Sequence, residues 1–306
     1  EHGLRPLPLS DEESRAAEQA AAEVLTGELV KVWIADQIAV VTLNRAKQRN
    51  AMTYAMWRGM PAIFGALERN PEVRVVILTG AGDDFCAGAD IAEFAKVRDN
   101  EEQATAYEVA VDACCDAIQG IRKPTIALVR GYCLGGGAHL AMSCDFRYAA
   151  EQSAFGIPAA RLSIIYGVRG TRKLLSLVGL SQAKKILFGA QRFDAEEALR
   201  IGFVDHVAKS APVAPVPWWA RWFRKASVGA AADPMVDARQ FARSLVDNAP
   251  LSISGAKALL NGMAMSAGSL DLDHAERLIA AAAASADYRE GREAFGEKRP
   301  PRFQGR

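Results

Sequence analysis

The sequence predicts a mixed α/β fold, and three observations support that prediction. Short runs rich in β-branched residues, such as 38–44 and 73–79, are typical of strands. They alternate with longer segments, such as 53–68, whose apolar residues recur every three or four positions, which is the spacing of an amphipathic helix. From about residue 235 onward only the helical spacing continues. Strands interleaved with helices, followed by helices alone, indicate an α/β core with a helical region after it.

The first elements of the core follow from local signals. Two β-branched runs separated by a short polar turn predict a hairpin over 29–44. Thr53 is suited to cap a helix that runs to about residue 68. A buried strand is predicted at 73–79, where the apolar run is continuous.

The later elements repeat this alternation and then become helical. A long helix, a strand, a glycine-rich turn with a short helix, and a further strand are predicted in that order. The long helix and the two strands fall at about 101–121, 125–129 and 146–149. The C-terminal helices are predicted at about 235–247, 251–266, 271–286 and 288–295.

Changes in composition divide the chain into four predicted regions. Residues 1–27 form an N-terminal helical extension whose apolar face is mostly alanine and is expected to bury little. Residues 28–207 form the core, and 208–235 form an insert rich in proline and tryptophan. Residues 236–306 form a C-terminal helical region.

The composition excludes several classes of protein. Half of the 306 residues are hydrophobic and 24% are charged, so the chain is neither largely disordered nor fibrous. With 37 basic and 36 acidic side chains, the net charge is +1, which argues against a nucleic-acid partner bound by bulk electrostatic attraction. No apolar run reaches the roughly 18–20 residues that span a bilayer, so no membrane span is predicted.

Cysteine and histidine usage gives no metal signature. The five cysteines form no CxxC pair, and the four histidines lie far apart without HExxH spacing. No metal site is therefore predicted. An odd number of cysteines in a chain of this length is typical of a reducing compartment, so we predict a cytoplasmic protein.

Two segments of small residues carry the chemical signal. They are LTGAGDDFCAGADI at 78–91, directly after a strand, and GYCLGGGAHL at 131–140, which opens a short helix. Small residues let the backbone approach a ligand, and a helix start leaves N–H donors unsatisfied at the positive end of the dipole. If the two loops converge, they form an oxyanion hole for a thioester or another carbonyl. Taken singly, each loop is also typical of an ordinary tight turn.

Further motifs extend this pattern along the chain. They are NR at 44–45, NAM at 50–52, FCAGADI at 85–91, GY at 131–132, GGG at 135–137, CD at 144–145, FG at 155–156, GVRGT at 167–171, AEEA at 195–198, GFV at 202–204 and AFGEKR at 294–299. In this order they resemble the enoyl-CoA hydratase/isomerase (crotonase) superfamily from about residue 29 to the C-terminus. The resemblance implies a spiral of ββα units with a C-terminal helical trimerisation region, assembled as a homotrimer or hexamer.

The resemblance also implies the site residues. The amides of Ala89 and Gly136 match the oxyanion-hole donors, which stabilise the enolate of a CoA thioester. The positions that match CoA-binding residues are Arg45, Ala51, Ala87, Asp90, Ile91 and Lys298, the last of which can reach the CoA of a neighbouring subunit. CoA enters as part of the acyl-CoA substrate, and no separate cofactor is implied.

The sequence departs from the hydratase pattern at two positions. A hydratase of this superfamily uses one glutamate two residues after the triple glycine and another after the proline of an FGxPE-like segment. These positions here hold His139 and Ala159, which argues against hydration by two glutamates. His139 is either an inert packed residue or an acid–base group beside the thioester. A helix N-terminus disfavours a protonated ring, so we expect a neutral imidazole.

Other polar residues near these positions leave alternatives open. A triad of His139 with Ser143 and Asp145 is disfavoured, because Ser143 faces along the helix and Asp145 starts the next strand. Residues near the second absent glutamate are expected either to hold a polar or carboxylated acyl group or to face solvent. They are Arg161, Tyr166 and Arg169.

Three functional classes follow from these observations. The favoured one is an acyl-CoA enzyme that works through an enolate, by double-bond isomerisation, decarboxylation or thioester hydrolysis. The others are an inactive acyl-CoA-binding homologue and a scaffold. The segment 217–225, with its aromatic and basic residues, is expected to be a packed apolar loop, with a flap over the acyl pocket or a membrane-surface helix as alternatives.

Overall fold

The computed structural model describes residues 11–209, 233–248, 250–265, 280, 283–299 and 301–302. Strands and helices alternate up to residue 208, and the described residues after it form helices and no strands, so the predicted α/β class is confirmed. Most of the predicted insert at 208–235 and of the helix predicted at 271–286 lies outside the described ranges.

Strands form one large and one small sheet. The six-stranded sheet has the order β1-β2-β3-β4-β6-β9, with only the β1–β2 pair antiparallel. Its strands are β1 (Val30–Ala35), β2 (Ile38–Leu43), β3 (Val75–Gly80), β4 (Thr125–Val129), β6 (Phe146–Ala150) and β9 (His206–Ala208). The small sheet has the order β5-β7-β8. Its strands are β5 (Tyr132–Leu134), β7 (Ala154–Gly156) and β8 (Phe193–Asp194).

Helices cover the sheets and follow them. They are α1 (Asp11–Thr26), α2 (Tyr54–Arg69), α3 (Phe94–Val97), α4 (Glu101–Gly120), α5 (Gly136–Ser143), α6 (Val168–Gly189), α7 (Ala195–Arg200), α8 (Pro234–Asp247), α9 (Pro250–Met265) and α10 (Ala286–Gly296). Three short 3-10 turns are also present, at Ala46–Gln48, Ile91–Glu93 and Ala159–Leu162.

Local signals place the first elements as predicted. Asp36 and Gln37 both have positive φ, of 50° and 63°, as a two-residue hairpin turn requires, and they join β1 to β2. The Thr53 side chain accepts a hydrogen bond from the Met56 amide at 3.2 Å and so caps α2. The predicted hairpin and the helix after it are therefore confirmed.

Both faces of the main sheet are covered. All the residues of β3 and β4 are buried, as expected for central strands of a parallel sheet. One face contributes to the large core shared with α2, α4 and α5. Apolar residues of the other face, among them Ile77 and Leu128, pack against Ala238 and Ala242 of α8.

The expectation that the N-terminal helix buries little is wrong. Val24 is fully buried, and Ala20 and Ala21 are also buried. A β-carbon added to Gly59 of α2 would lie 3.0 Å from backbone atoms of Ala20 and Ala21. The small side chains let the backbones of α1 and α2 come close together. The alanine face of α1 is therefore buried against α2.

Candidate active site

The loop after β3 is held in place by the buried side chain of Asn50. Its Nδ2 donates to the carbonyls of Ala81 and Asp84, at 2.9 and 2.7 Å. Its Oδ1 accepts from the Arg45 amide at 2.9 Å. Asn50 is fully buried. The segment before α2 and the loop after β3 therefore form one unit.

Arg45 connects three of the predicted CoA-binding positions. Its Nη1 donates to the Ala51 carbonyl at 2.5 Å, and its Nη2 lies 2.8 Å from a carboxylate oxygen of Asp90. The side chains of Arg45 and Asp90 are only 15% and 14% exposed. Ala87 belongs to the same unit, because its amide donates to the Arg49 carbonyl at 2.9 Å.

The amide N–H of Ala89 points away from Met52, whose backbone is hydrogen-bonded to the residues on both sides of Ala89. The Met52 amide donates to the Gly88 carbonyl at 2.8 Å, and the Asp90 amide donates to the Met52 carbonyl at 2.9 Å. These two bonds flank Ala89, which forms a parallel bridge with Met52. In a parallel bridge of this kind the central residue directs its own N–H to the opposite side.

The amide of Gly136 lies beside that of Ala89. Gly136 is the first residue of α5, so its N–H has no partner within the helix. A β-carbon on Gly88 would lie 3.4 Å from the Gly136 nitrogen, and one on Gly136 would lie 3.5 Å from the Ala89 nitrogen. Any side chain at Gly137 would clash, because its β-carbon would lie 2.2 Å from the Cys86 carbonyl. The two loops thus converge, which is the condition that the sequence analysis set for an oxyanion hole.

This arrangement suits a negatively charged oxygen. Two N–H donors and the positive end of the α5 dipole meet where Ala89 and Gly136 are only partly buried. Such donors favour the enolate over the neutral thioester, because the negative charge exists only in the enolate.

His139 lies one turn into α5 and is 4% exposed. Its Nε2 is buried and has no hydrogen-bond partner. The side chain of Cys115 in α4 interacts electrostatically with that of His139. The ring therefore presents an unoccupied nitrogen on the helix that also supplies the Gly136 amide.

The disfavoured triad is absent from the structure. Ser143 Oγ donates to the His139 carbonyl at 2.7 Å and accepts from Lys173 Nζ at 2.9 Å. Asp145 pairs instead with Lys257, 2.7 Å away. Ser143 and Asp145 are thus engaged with groups other than the His139 ring, so the geometry does not support a charge relay among the three residues.

Three polar residues predicted near the second absent glutamate separate in the structure. Arg161 is exposed. The guanidinium of Arg169, in α6, hydrogen-bonds to Asp116 and lies 3.7 Å from Asp112, so it pairs with two carboxylates of α4. Only Tyr166 reaches the site: its ring centroid is 5.8 Å from that of His139, and its buried hydroxyl has no hydrogen-bond partner.

Sequence reasoning missed the acidic residues of α4. Burial raises the pKa of Asp112 to about 6, while His139 and Arg169 partly offset the rise. Burial also raises the pKa of Asp116. In the sequence, Asp112 and Asp116 are four residues apart, which indicates only that they lie on the same face of a helix. That spacing does not predict that this face contacts α5 and α6.

The structure also describes the remaining predicted positions, Ala159, Ile91 and Lys298. Ala159 is buried and carries no ionisable group. Ile91 is partly buried at the start of a 3-10 turn. Lys298 is exposed just after α10, with a left-handed φ of 57°. Its predicted reach to a neighbouring subunit stays a prediction.

The described ranges contain neither a metal-binding cluster nor a membrane-spanning helix. In them, no three histidine, cysteine, aspartate or glutamate side chains lie close enough together to hold a metal ion. None of the helices described here is long and apolar enough to cross a membrane. All five cysteines are free and buried.

Comparisons with known proteins agree with this geometry. The family model described as "Enoyl-CoA hydratase/isomerase" matches residues 34–306. Short-chain-enoyl-CoA hydratase of Clostridium acetobutylicum is 36% identical over 226 residues, which cover 74% of this chain and 78% of that protein. Crotonyl-CoA hydratase of Syntrophomonas wolfei is 33% identical, over 88% of this chain and 95% of its own length.

Solved structures give the same result. Methylmalonyl-CoA decarboxylase in complex with 2-nitronate-propionyl-CoA has a TM-score of 0.75 and 27% identity to this chain. The match covers 90% of this chain and 98% of that one. The family model, the relatives and the solved fold therefore agree, and the chain belongs to the enoyl-CoA hydratase/isomerase family of the crotonase superfamily.

Proposed function

We propose that this protein is an acyl-CoA enzyme that works through a thioester enolate, with Ala89 and Gly136 as oxyanion donors and His139 as the base. One observation carries the proposal: the unpartnered Nε2 of His139 lies on the helix whose first residue is Gly136. The proposed base and one of the two proposed donors are thus fixed on one rigid element.

The chemistry follows from this placement. His139 Nε2 takes a proton from the carbon next to the thioester carbonyl, and the C–H electron pair becomes the C=C bond of the enolate. The carbonyl π electrons move to oxygen, where the two amides bind the charge. Loss of one such donor costs about 3–4 kcal/mol of barrier in comparable sites. The enolate then takes the proton back from the imidazolium, at the same carbon or at a conjugated one.

Double-bond isomerisation is the reaction that these residues support best. It needs one base and a return path for the proton, and His139 supplies both. The two glutamates needed for hydration are absent. Ala159 stands at one of their positions and has no proton to transfer, and His139 occupies the other.

Decarboxylation is a second candidate, supported by the likeness to methylmalonyl-CoA decarboxylase. Loss of CO2 from a malonyl-type thioester leaves its electron pair in the same enolate, so the amides of Ala89 and Gly136 would act unchanged. In this reaction His139 would protonate the enolate.

We also propose that CoA is held along Arg45, Ala51, Ala87, Asp90 and Ile91, with Lys298 contributing to the CoA of a neighbouring subunit. The contacts that join Arg45 to Ala51 and Asp90 support a single preformed surface. A homotrimer or hexamer is part of this proposal. It is supported by large apolar side chains that α6 and α9 expose, namely Leu180, Phe188, Leu259, Leu260 and Met263.

Exchange of the α-protons of butyryl-CoA with D2O, followed by mass spectrometry, tests the proposal. We expect exchange by the wild-type protein, loss of it in His139→Ala, and no change in His206→Ala. His206 is a matched control, because it is half-exposed and paired with Asp237 on the far edge of the main sheet.

Calorimetric binding of butyryl-CoA separates the outcomes. Binding without exchange by the wild-type protein would favour the inactive acyl-CoA-binding homologue. If the wild-type protein does not bind butyryl-CoA at all, only the scaffold hypothesis would remain. Wild-type exchange that persists in His139→Ala would remove His139 from the mechanism while keeping the enolate.

A further inference from the structure

One carboxylate beside the candidate active site has no role in the mechanism above. Asp112 lies on α4, three residues before Cys115 and four before Asp116, so the three side chains share one face of the helix. Cys115 is fully buried and interacts electrostatically with His139 of α5. The carboxylate of Asp112 interacts with His139 in the same way. Asp112 is therefore on the face of α4 that lies against α5.

Contacts from the segment 166–169 lead to the same place. Arg169 Nε lies 3.7 Å from a carboxylate oxygen of Asp112. Tyr166, three residues before Arg169, packs against the His139 ring with 5.8 Å between the ring centroids. Two separate parts of the chain, α4 and the segment that leads into α6, thus bring Asp112 and His139 together.

Asp112 is both accessible and partly desolvated. Its side chain is 34% exposed, whereas Cys115, on the same helix face, is fully buried. Burial raises the pKa of Asp112 from 3.8 to about 6; the charges of His139 and Arg169 offset part of that rise, and Cys115 and Asp116 add to it. A proton-transfer group is most effective when its pKa is near the working pH, because both of its forms are then populated. Asp112 can therefore give or take a proton near neutral pH.

Asp116, one turn further along α4, differs from Asp112 in its partner. Nη1 of Arg169 donates a hydrogen bond directly to the Asp116 carboxylate. The Asp112 oxygen, at 3.7 Å from Nε, is beyond hydrogen-bond distance of the same guanidinium. Arg169 thus engages one carboxylate closely and leaves the other able to exchange a proton with a substrate.

We propose that Asp112 is a second catalytic residue, which delivers a proton to the acyl chain while His139 removes one. The inference rests on the proposed enolate mechanism and divides its two proton transfers between α4 and α5. Asp112 stands at neither of the two positions, 139 and 159, where the hydratase glutamates are absent. It supplies an acid from a helix that the sequence pattern did not indicate.

Double-bond isomerisation of a 3-enoyl-CoA shows how the two residues act together. His139 takes a proton from C2, and the C–H electron pair becomes part of a dienolate whose negative charge lies on the thioester oxygen. Protonated Asp112 gives its proton to C4, where the C3=C4 π electrons form the new C–H bond. The C2=C3 bond forms as the thioester carbonyl is restored. Transfer of a proton from the imidazolium to the Asp112 carboxylate, through solvent, then restores both residues.

An isotope experiment on the full-length wild-type protein tests this division. 3-Butenoyl-CoA with two deuterium atoms at C2 is converted in H2O, and the mass of the 2-butenoyl-CoA product is measured. We expect a product with one deuterium, because His139 removes the other from C2 and Asp112 supplies a hydrogen at C4. A product that keeps both deuterium atoms would mean that one residue carries the deuteron from C2 to C4, and would overturn the inference.

Asp112→Asn extends the test to the residue itself. It should lower the isomerisation rate about 100-fold, which is a typical contribution of a general acid, and any remaining product should keep more of its deuterium. Asp116→Asn is the matched control, because it replaces the other carboxylate of the same helix face and should change neither the rate nor the label. The melting temperature separates catalysis from packing: replacing a structural carboxylate lowers it, whereas Asp112→Asn should not lower it at pH 7.

The other results each contradict one claim. An unchanged rate in Asp112→Asn, or the wild-type loss of deuterium in that variant, overturns the inference. Equal losses of rate in Asp112→Asn and Asp116→Asn would assign both carboxylates only to packing around Arg169, and would also overturn it. A wild-type protein that exchanges the α-protons of butyryl-CoA without isomerising 3-butenoyl-CoA overturns the inference and keeps the enolate. Absence of that exchange contradicts the proposed function itself.

Discussion

A β-carbon added to Gly136 would lie 3.0 Å from Cζ2 of Trp57. Trp57 is fully buried and fixed by a 2.9 Å hydrogen bond from its Nε1 to the Tyr107 hydroxyl. The indole therefore cannot move aside easily. An alanine at position 136 must shift the start of α5, and with it the oxyanion amide and the His139 ring.

We predict that Gly136→Ala lowers kcat by roughly 100-fold, because displacing one oxyanion donor costs about 3 kcal/mol. The midpoint of thermal unfolding should fall by a few degrees only. Gly120→Ala is the control, since a β-carbon there meets no atom within 4 Å. Equal rates for Gly136→Ala and the wild type would remove this amide from the catalytic step.

The ion pair of Arg45 and Asp90 predicts an effect on CoA binding. Asp90→Ala removes the partner of a largely buried guanidinium, which costs about 1–3 kcal/mol of stability. The KM for an acyl-CoA should rise about tenfold, with little change in kcat, because the pair lies among the proposed CoA positions and not at the reacting carbons. Lys31→Gln breaks an exposed pair with Glu28 and should change neither quantity. A lower kcat at constant KM would contradict this assignment.

Asp112 predicts a pH dependence of stability. Its pKa is raised by burial from 3.8 to about 6, so between these values the native state binds more protons than the unfolded state. Stability from this group is therefore greatest at low pH and is lost as pH rises through that window. The melting temperature of Asp112→Asn should be higher than that of the wild type at pH 7, and the difference should disappear near pH 4. Parallel melting profiles from pH 4 to 7 would contradict the prediction, and Glu72→Gln on the surface serves as control.

The close crossing of α1 and α2 predicts that valine destabilises the protein more at one glycine of α2, Gly59, than at another, Gly65. A β-carbon at Gly59 would press on the backbone of Ala20 and Ala21 at 3.0 Å, whereas one at Gly65 would meet only a flexible arginine atom at 3.4 Å. We expect Gly59→Val to destabilise the protein by about 1–3 kcal/mol more than Gly65→Val, from overpacking alone. Both changes have the same helix-propensity cost, so urea unfolding of the pair isolates the packing effect. Equal stabilities would mean that α1 is not held against α2 in solution.

Local chemistry was readable from the sequence. The hairpin at 29–44, the Thr53 cap and the buried strand after it depend on contacts between residues near one another in the chain, so spacing and turn residues were enough. The two small-residue loops were also visible, because close backbone approach excludes larger side chains at such positions as Gly137.

Contacts between distant segments were decided only by the tertiary structure. Arg161, Tyr166 and Arg169 look equivalent in sequence, yet packing of α6 against α4 pairs Arg169 with acidic residues and leaves Tyr166 facing His139. The alanine face of α1 looked too small to pack until Gly59 supplied a groove 39 residues further on. The sequence by itself determined the family, the strand-and-helix order and the two small-residue loops at 78–91 and 131–140. The tertiary structure decided which polar atoms of the site lack a partner, because it decides which side chains meet. A group that forms a hydrogen bond or an ion pair within the protein is no longer available to a substrate.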